Sequence, residues 1–199
     1  MALNGNAMLT LAQAKSFLSI PTSDVDYDDE VTDLVNMLSD LFCRYCNRDT
    51  FVSSAVIEYT QGKDDDTLWL RNPPIVETAS SVIIWMDSDR LYPDSTRLTR
   101  TDYAVDSTTG KVTFVDDYFI SNILSLKISY MGGYSTLPGD LLWAAKLAAK
   151  FFWSMKERVG VSSVSQAQGG STSYSDLDAE SGLPVSITAI LKKYRRWSS

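Results

Sequence analysis

The chain has 199 residues, 44% of them apolar and 22% charged, which suits one globular domain or two small ones. Net charge is −7 and histidine is absent, which argues against tight wrapping of nucleic acid and removes the commonest general base and metal ligand. No apolar run approaches the roughly 18 residues a membrane span needs, and the start, MALNGNAMLT, lacks the basic and apolar regions of a secretory leader.

Residues 1–9 read as a flexible start. Thr10 and Gln13 have the form of a capping box, and Leu11, Ala14, Phe17 and Leu18 mark a short amphipathic helix that Pro21 ends. An acidic loop follows. A long helix is then predicted from about Asp28 to Asn47, because Val31, Leu34, Val35, Leu38, Leu41, Phe42 and Tyr45 recur at helical spacing. Asp28, Asp29 and Glu30 in its first turn, and Arg44 and Arg48 near its end, suit the helix dipole.

Between Phe51 and Tyr134 the apolar period shortens to two. Ala55–Thr60, Leu68–Leu70 and Val82–Asp87 read as strands. Asp102–Asp106 with Lys111–Val115 reads as a hairpin, and Leu124–Tyr130 as a final strand. Turn-rich pieces separate them, including Asp106–Gly110 and Gly132–Gly133. The expectation is a small antiparallel sheet or barrel inserted between helices.

Leu137–Val159 is the most apolar helix. Pro138 and Asp140 suit its start, and Lys156, Arg158 and Gly160 its end. Leu141, Ala145, Ala148 and Phe152 lie on one side, and Trp143, Leu147, Phe151 and Met155 carry the apolar surface further round. A helix apolar over most of its circumference must be covered on more than one side. Trp143, Leu147, Phe151 and Met155 are therefore the expected subunit–subunit packing residues.

The Ser/Gly/Gln-rich stretch within 160–182 reads as a mobile linker. A closing helix over 183–197 follows Pro184, with Ile187, Ile190, Leu191, Tyr194 and Trp197 on one face. Four of the five residues 192–196 are basic, more than a dipole requires, and suggest an acidic partner surface. The domain reading is thus a discontinuous helical unit, 1–50 and 135–199, with a β insertion over 51–134. The fold class is α+β: an antiparallel bundle of about four helices carrying a small antiparallel β domain.

Catalytic chemistry is sought and not found. Cys43 and Cys46 form a CxxC near a helix end, where the dipole opposes a thiolate, and no further Cys or His completes a zinc site. Asp64–Asp66 lack calcium-loop spacing and read as a solvated turn. Gly132–Gly133 lacks the lysine of a phosphate loop. The reading is non-enzymatic, with no catalytic residue, metal or cofactor. Two alternatives remain open. One is a carbohydrate- or protein-binding module with Trp69 or Trp85 as platforms, and the other a metal-dependent hydrolase using the Asp cluster.

The pieces TLAQAK, LWLRNPPI, DYAVD with GKVTF, ISYMGGYSTLPGDLLWAAKLAAKFFW with KERVG, and LPVSITAILKKYRRW occur in that order. Over nearly the whole chain this resembles the head–tail connector (adaptor, head-completion) family of tailed bacteriophages. Tyr130, Gly132, Gly133, Pro138 and Arg158 carry one part of the resemblance, and Leu183, Pro184, Ile187, Leu191, Tyr194 and Arg195 the other, with Ile187 replacing a Val-type residue. The resemblance implies a structural virion protein of the neck, at the portal vertex, assembled in the host cytoplasm. It implies a ring of about twelve copies beneath the portal protein, docking the stopper or tail-completion protein. Double-stranded DNA would pass through without sequence-specific binding, and no membrane is involved. It also implies that the C-terminal segment reaches the portal. Ile187, Ile190, Leu191, Tyr194 and Trp197 are then the expected apolar anchors, and Lys192, Lys193, Arg195 and Arg196 the charge contacts. On this reading the segment could be removed from a chain that still folds.

Overall fold

Helix α2, Asp28–Tyr45, forms where the periodicity predicts, and its buried side includes Val31, Val35, Leu38, Phe42 and Tyr45. The computed structural model describes residues 2–76, 82–156, 177–178 and 181–196. The fold is mixed α+β, with two compact units: 1–46 with 137–195, and 47–136 with 196–199.

In the first unit, α1 (Leu11–Leu18) starts on the expected capping box: the Thr10 hydroxyl accepts from the Gln13 N–H, and the Gln13 side chain accepts from the Thr10 N–H. Its inward face differs from the apolar pattern. Leu11, Phe17 and Leu18 are half-buried, whereas Lys15 is only 2% exposed. The Lys15 ammonium reaches the Thr22 carbonyl at 3.2 Å and the Asp24 carbonyl and Asp28 Oδ1 at 2.5 Å. A buried cation is tolerated because oxygens replace its lost water and one partner is charged. It fastens the acidic loop between α1 and the first turn of α2. The start of the chain is also held, contrary to the flexible reading. Met8 and Leu9 are buried, the Met8 N–H donates to Ser39 Oγ at 3.0 Å, and the Asn4 N–H donates to Asn36 Oδ1 at 2.9 Å.

Helix α3, Gly139–Met155, packs against α1, α2 and α4 (Val185–Leu191). Leu141, Ala144, Ala145, Ala148 and Ala149 form its buried side, and the four alanines let neighbouring backbones come close. Cys43 and Cys46 are both buried, and Cys46 Sγ lies 3.4 Å from the Leu191 carbonyl. The end of the Leu137–Val159 prediction and most of the 160–182 linker fall outside the described residues.

The second unit holds two three-stranded antiparallel sheets rather than one. The strands are β1 (Ser54–Thr60), β2 (Thr67–Trp69), β3 (Val82–Met86), β4 (Tyr103–Asp106), β5 (Lys111–Phe114) and β6 (Leu126–Gly132). Their orders are β1-β6-β3 and β2-β5-β4, and β4–β5 is the expected hairpin. Its turn is shaped by Asp106, which accepts from the Thr108 and Thr109 N–H groups and the Thr109 hydroxyl. Those bonds, the hydroxyl's first, hold its carboxyl below the usual range. The core includes Leu70, Ile84, Val112, Phe119, Leu126 and Ile128. Arg48, expected as a dipole-suited charge near the end of α2, instead belongs to this unit. It is buried, its guanidinium donates to the Pro73 carbonyl, and it lies 4.7 Å from the Phe51 ring centroid.

β6 ends at Gly132, and Gly133 follows it, beside a polar cluster. The Tyr130 hydroxyl donates to Glu58 Oε1 at 2.5 Å and accepts from Asn72 Nδ2 at 3.1 Å, and the Arg71 N–H donates to Glu58 at 2.8 Å. Burial outweighs these bonds and pushes the Glu58 carboxyl above its usual range, while burial and the Glu58 charge push Tyr130 up strongly. Glu58 therefore keeps its proton to higher pH when folded than when unfolded, and it favours folding at the acid end. That contribution is full below a glutamate's unfolded-state value and is lost as pH rises through the raised folded one, so thermal stability of the second unit is expected to fall with pH over that interval. Glu58→Gln can accept the same bonds and should flatten that slope, as melting curves across the interval would record.

Candidate assembly surfaces

The outer side of α3 is built from residues one helical turn apart. Trp143 is 51% exposed and Met155 39%, with Leu147 and Phe151 half-buried between them. Trp143 rests edge-on against Phe17, centroids 5.5 Å apart, which fixes the ring without covering it. Further along, Tyr27 meets Trp153 edge-on at 5.9 Å, and the Lys156 ammonium sits 5.0 Å from the Trp153 centroid while pairing with Glu30. Val25, 69% exposed, lies two residues before Tyr27. The four expected packing residues thus share one open apolar strip.

The C-terminal segment is divided. Ile187 and Leu191, expected as anchors for a partner, are 1% and 0% exposed, beside fully buried Leu183 and Thr188. They fill the core of their own unit and present nothing outward. The periodicity placed Ile187 and Leu191 on the inward face of a helix over 183–197; α4 itself is shorter, Val185–Leu191, followed by a 3-10 turn over Lys192–Tyr194, and the spacing could not say that α3 covers that face. Ile190 is half-buried, and Val185 and Lys192 are exposed. The basic run is largely engaged within the chain. Lys193 Nζ is 3.5 Å from Asp140 Oδ2, and the Tyr194 hydroxyl donates to Asp140 Oδ1 at 2.6 Å. The Tyr194 bond is the main reason that the Asp140 carboxyl sits below its usual range, helped by the Leu141 N–H and Lys193. Arg195 lies 5.4 Å from the Tyr45 centroid. In the second unit Arg196 donates to the Thr109 carbonyl at 2.9 Å, and its own carbonyl accepts from Asn47 Nδ2 at 3.3 Å. Trp197 lies outside the described residues.

The alternative platforms are dissimilar. Trp69 is half exposed on β2. Trp85 is half-buried, with Lys127 Nζ 4.7 Å from its centroid and its indole N–H enclosed without a partner. In the Asp64–Asp66 turn, Asp64 Oδ1 accepts from the Ser121 N–H at 3.1 Å. Among the described residues no group of three or more His, Cys, Asp or Glu could hold a metal ion, and no described helix is long and apolar enough to cross a membrane.

Comparison with known proteins follows the same direction. A chain in the neck of an empty gene transfer agent particle, solved with C6 symmetry, shares the fold with a TM-score of 0.59 at 15% identity, covering 100% of this chain and 94% of that one. A chain in the virion of a native gene transfer agent particle does so with a TM-score of 0.60 at 14% identity and the same coverage. No curated protein gives a significant match. A family model described as head completion protein matches residues 7–197, nearly the whole length. The chain belongs to the head completion protein family, and so is a structural component of the virion.

Proposed function

We propose that this chain is the adaptor of the virion neck, joining the capsid to the stopper or tail. Its helices act as an antiparallel bundle, and copies close into a ring of about twelve beneath the portal protein, prolonging the channel for double-stranded DNA. The role is structural rather than catalytic. The carrying observation is the open strip of α3, where half-exposed Trp143 and Met155 continue the surface of a helix already packed against three others. Exposed large apolar groups in a continuous strip mark an interaction surface. Net charge −7 suits a channel wall along which DNA slides without sticking. Among the described residues, exposed Val185, Lys192 and Lys193 and half-buried Ile190, Tyr194, Arg195 and Arg196 are available to touch the portal, with Ile187 and Leu191 supporting them from inside.

Trp143→Glu with Met155→Glu tests this reading. Circular dichroism should stay native, since neither side chain is buried and loss of the Phe17 edge contact costs only about 0.5–1.5 kcal/mol. Tailed particles should fall at least about tenfold in a complementation assay, because each carboxylate would be desolvated at an interface. Normal tailing by the variant would remove the strip from the assembly.

A further inference from the structure

The outer faces of α2 and α3 carry opposite charge. On α3, Lys146 and Lys150 stand one turn apart beside Trp143, Leu147 and Phe151. Lys146 makes no ion pair among the described residues, and Lys150 only overhangs the Phe17 ring, at 6.0 Å. On α2 the exposed positions Asp29, Asp33 and Met37 recur at helical spacing, with Met37 41% exposed; beyond them the face changes, since Asp40 Oδ1 accepts from Asn6 Nδ2 at 3.0 Å and Arg44 is exposed. Asp33 makes no ion pair among the described residues.

Neither face suits a copy of itself. A two-fold contact through α3 would set lysines against lysines, and one through α2 would set aspartates against aspartates. Each face is matched instead to the other, in charge and in having an apolar centre. Residues four apart rise about 6 Å along either helix, so the Lys146–Lys150 step and the Asp29–Asp33 step have the same length. A contact between two different faces is head-to-tail, and such contacts close into rings when the rotation permits. We propose that the outer face of α3 in one copy packs on the outer face of α2 in the next, with Lys146 and Lys150 bracketing Asp33 and Met37 seated on the apolar strip. This rests on the ring reading above and names the partner of the α3 strip: the α2 face of a second copy.

The test is cross-linking in intact particles. A carbodiimide joins an amine to a carboxylate only in direct contact. The dimer band should yield Lys146 or Lys150 coupled to Asp33, and Asp33→Asn should abolish that link. Lys146→Glu with Lys150→Glu should lower tailed particles at least about tenfold, since like charges facing across an interface are strongly disfavoured. Adding Asp33→Lys should restore them. Dimers joined only through other residue pairs, or failure of the charge swap to rescue, would overturn this pairing and leave the ring intact. If neither the carbodiimide nor a long-spacer amine reagent yields any dimer, the ring reading falls together with the pairing.

Discussion

Removing residues 183–199 is expected to abolish folding of the helical unit. Leu183, Ile187 and Leu191 are each at most 1% exposed. Truncating one such aliphatic costs about 2–5 kcal/mol, and a whole domain is stable by only about 5–15 kcal/mol. Loss of all three, together with the Asp140 contacts of Lys193 and Tyr194, exceeds what the remaining helices can absorb. The truncated chain should show reduced helical ellipticity and no cooperative melt. A point variant makes the cause specific. Leu191→Asp places a carboxylate in a fully buried position and should also lose the transition. Lys192→Glu, one residue along and exposed, should shift stability by about 0.5 kcal/mol or less. A truncated chain that melts like the intact one would return this helix to the role of a detachable docking arm.

Gly133→Ala is expected to destabilise the second unit by about 3 kcal/mol or more. Gly133 has φ +102, a conformation that side chains other than glycine's rarely adopt, and a Cβ there would lie 2.6 Å from the Val52 carbonyl oxygen. Neither strain can be relieved easily, because the Gly133 N–H donates to the Asn72 and Pro74 carbonyls at 2.9 Å and the Tyr134 N–H to the Phe51 carbonyl at 2.7 Å. Gly132 is equally confined, with the Asn72 carbonyl oxygen 2.6 Å from its notional Cβ. Gly139, where nothing lies within 4 Å, is the control: Gly139→Ala should be neutral or stabilising. Denaturant titration followed by near-ultraviolet dichroism would separate the two variants, and equal stability would refute the steric account.

These two cases also show what one dimension of sequence carries. Gly132–Gly133 is legible as a turn after a strand, yet the closeness of Asn72 and Val52 depends on chain brought from 60 or more residues away. Apolar spacing found α2 and α4 and the face each buries, because that face is set by the helix's own period. It could not identify the cover, so Ile187 and Leu191 read as free anchors although the chain's own core takes them up. Charge is harder still. Spacing does not single out Lys15, and it reads Arg48 as a charge at the end of a helix, because the oxygens that hold them come from loops, Asp28 and Pro73. The run 192–196 reads as needing an acidic partner, whereas Lys193 reaches Asp140 and Arg195 the Tyr45 ring, both distant in sequence. The strip on α3 was visible because Trp143, Leu147, Phe151 and Met155 exceed what a single inward face requires.

Electron cryomicroscopy of the neck in assembled virions bears most directly on the proposed role. The expected map has copies of this chain in a closed ring under the portal, with Trp143 and Met155 of each copy covered by its neighbour. A neck without this chain, or a ring in which the α3 strip faces solvent, would contradict it.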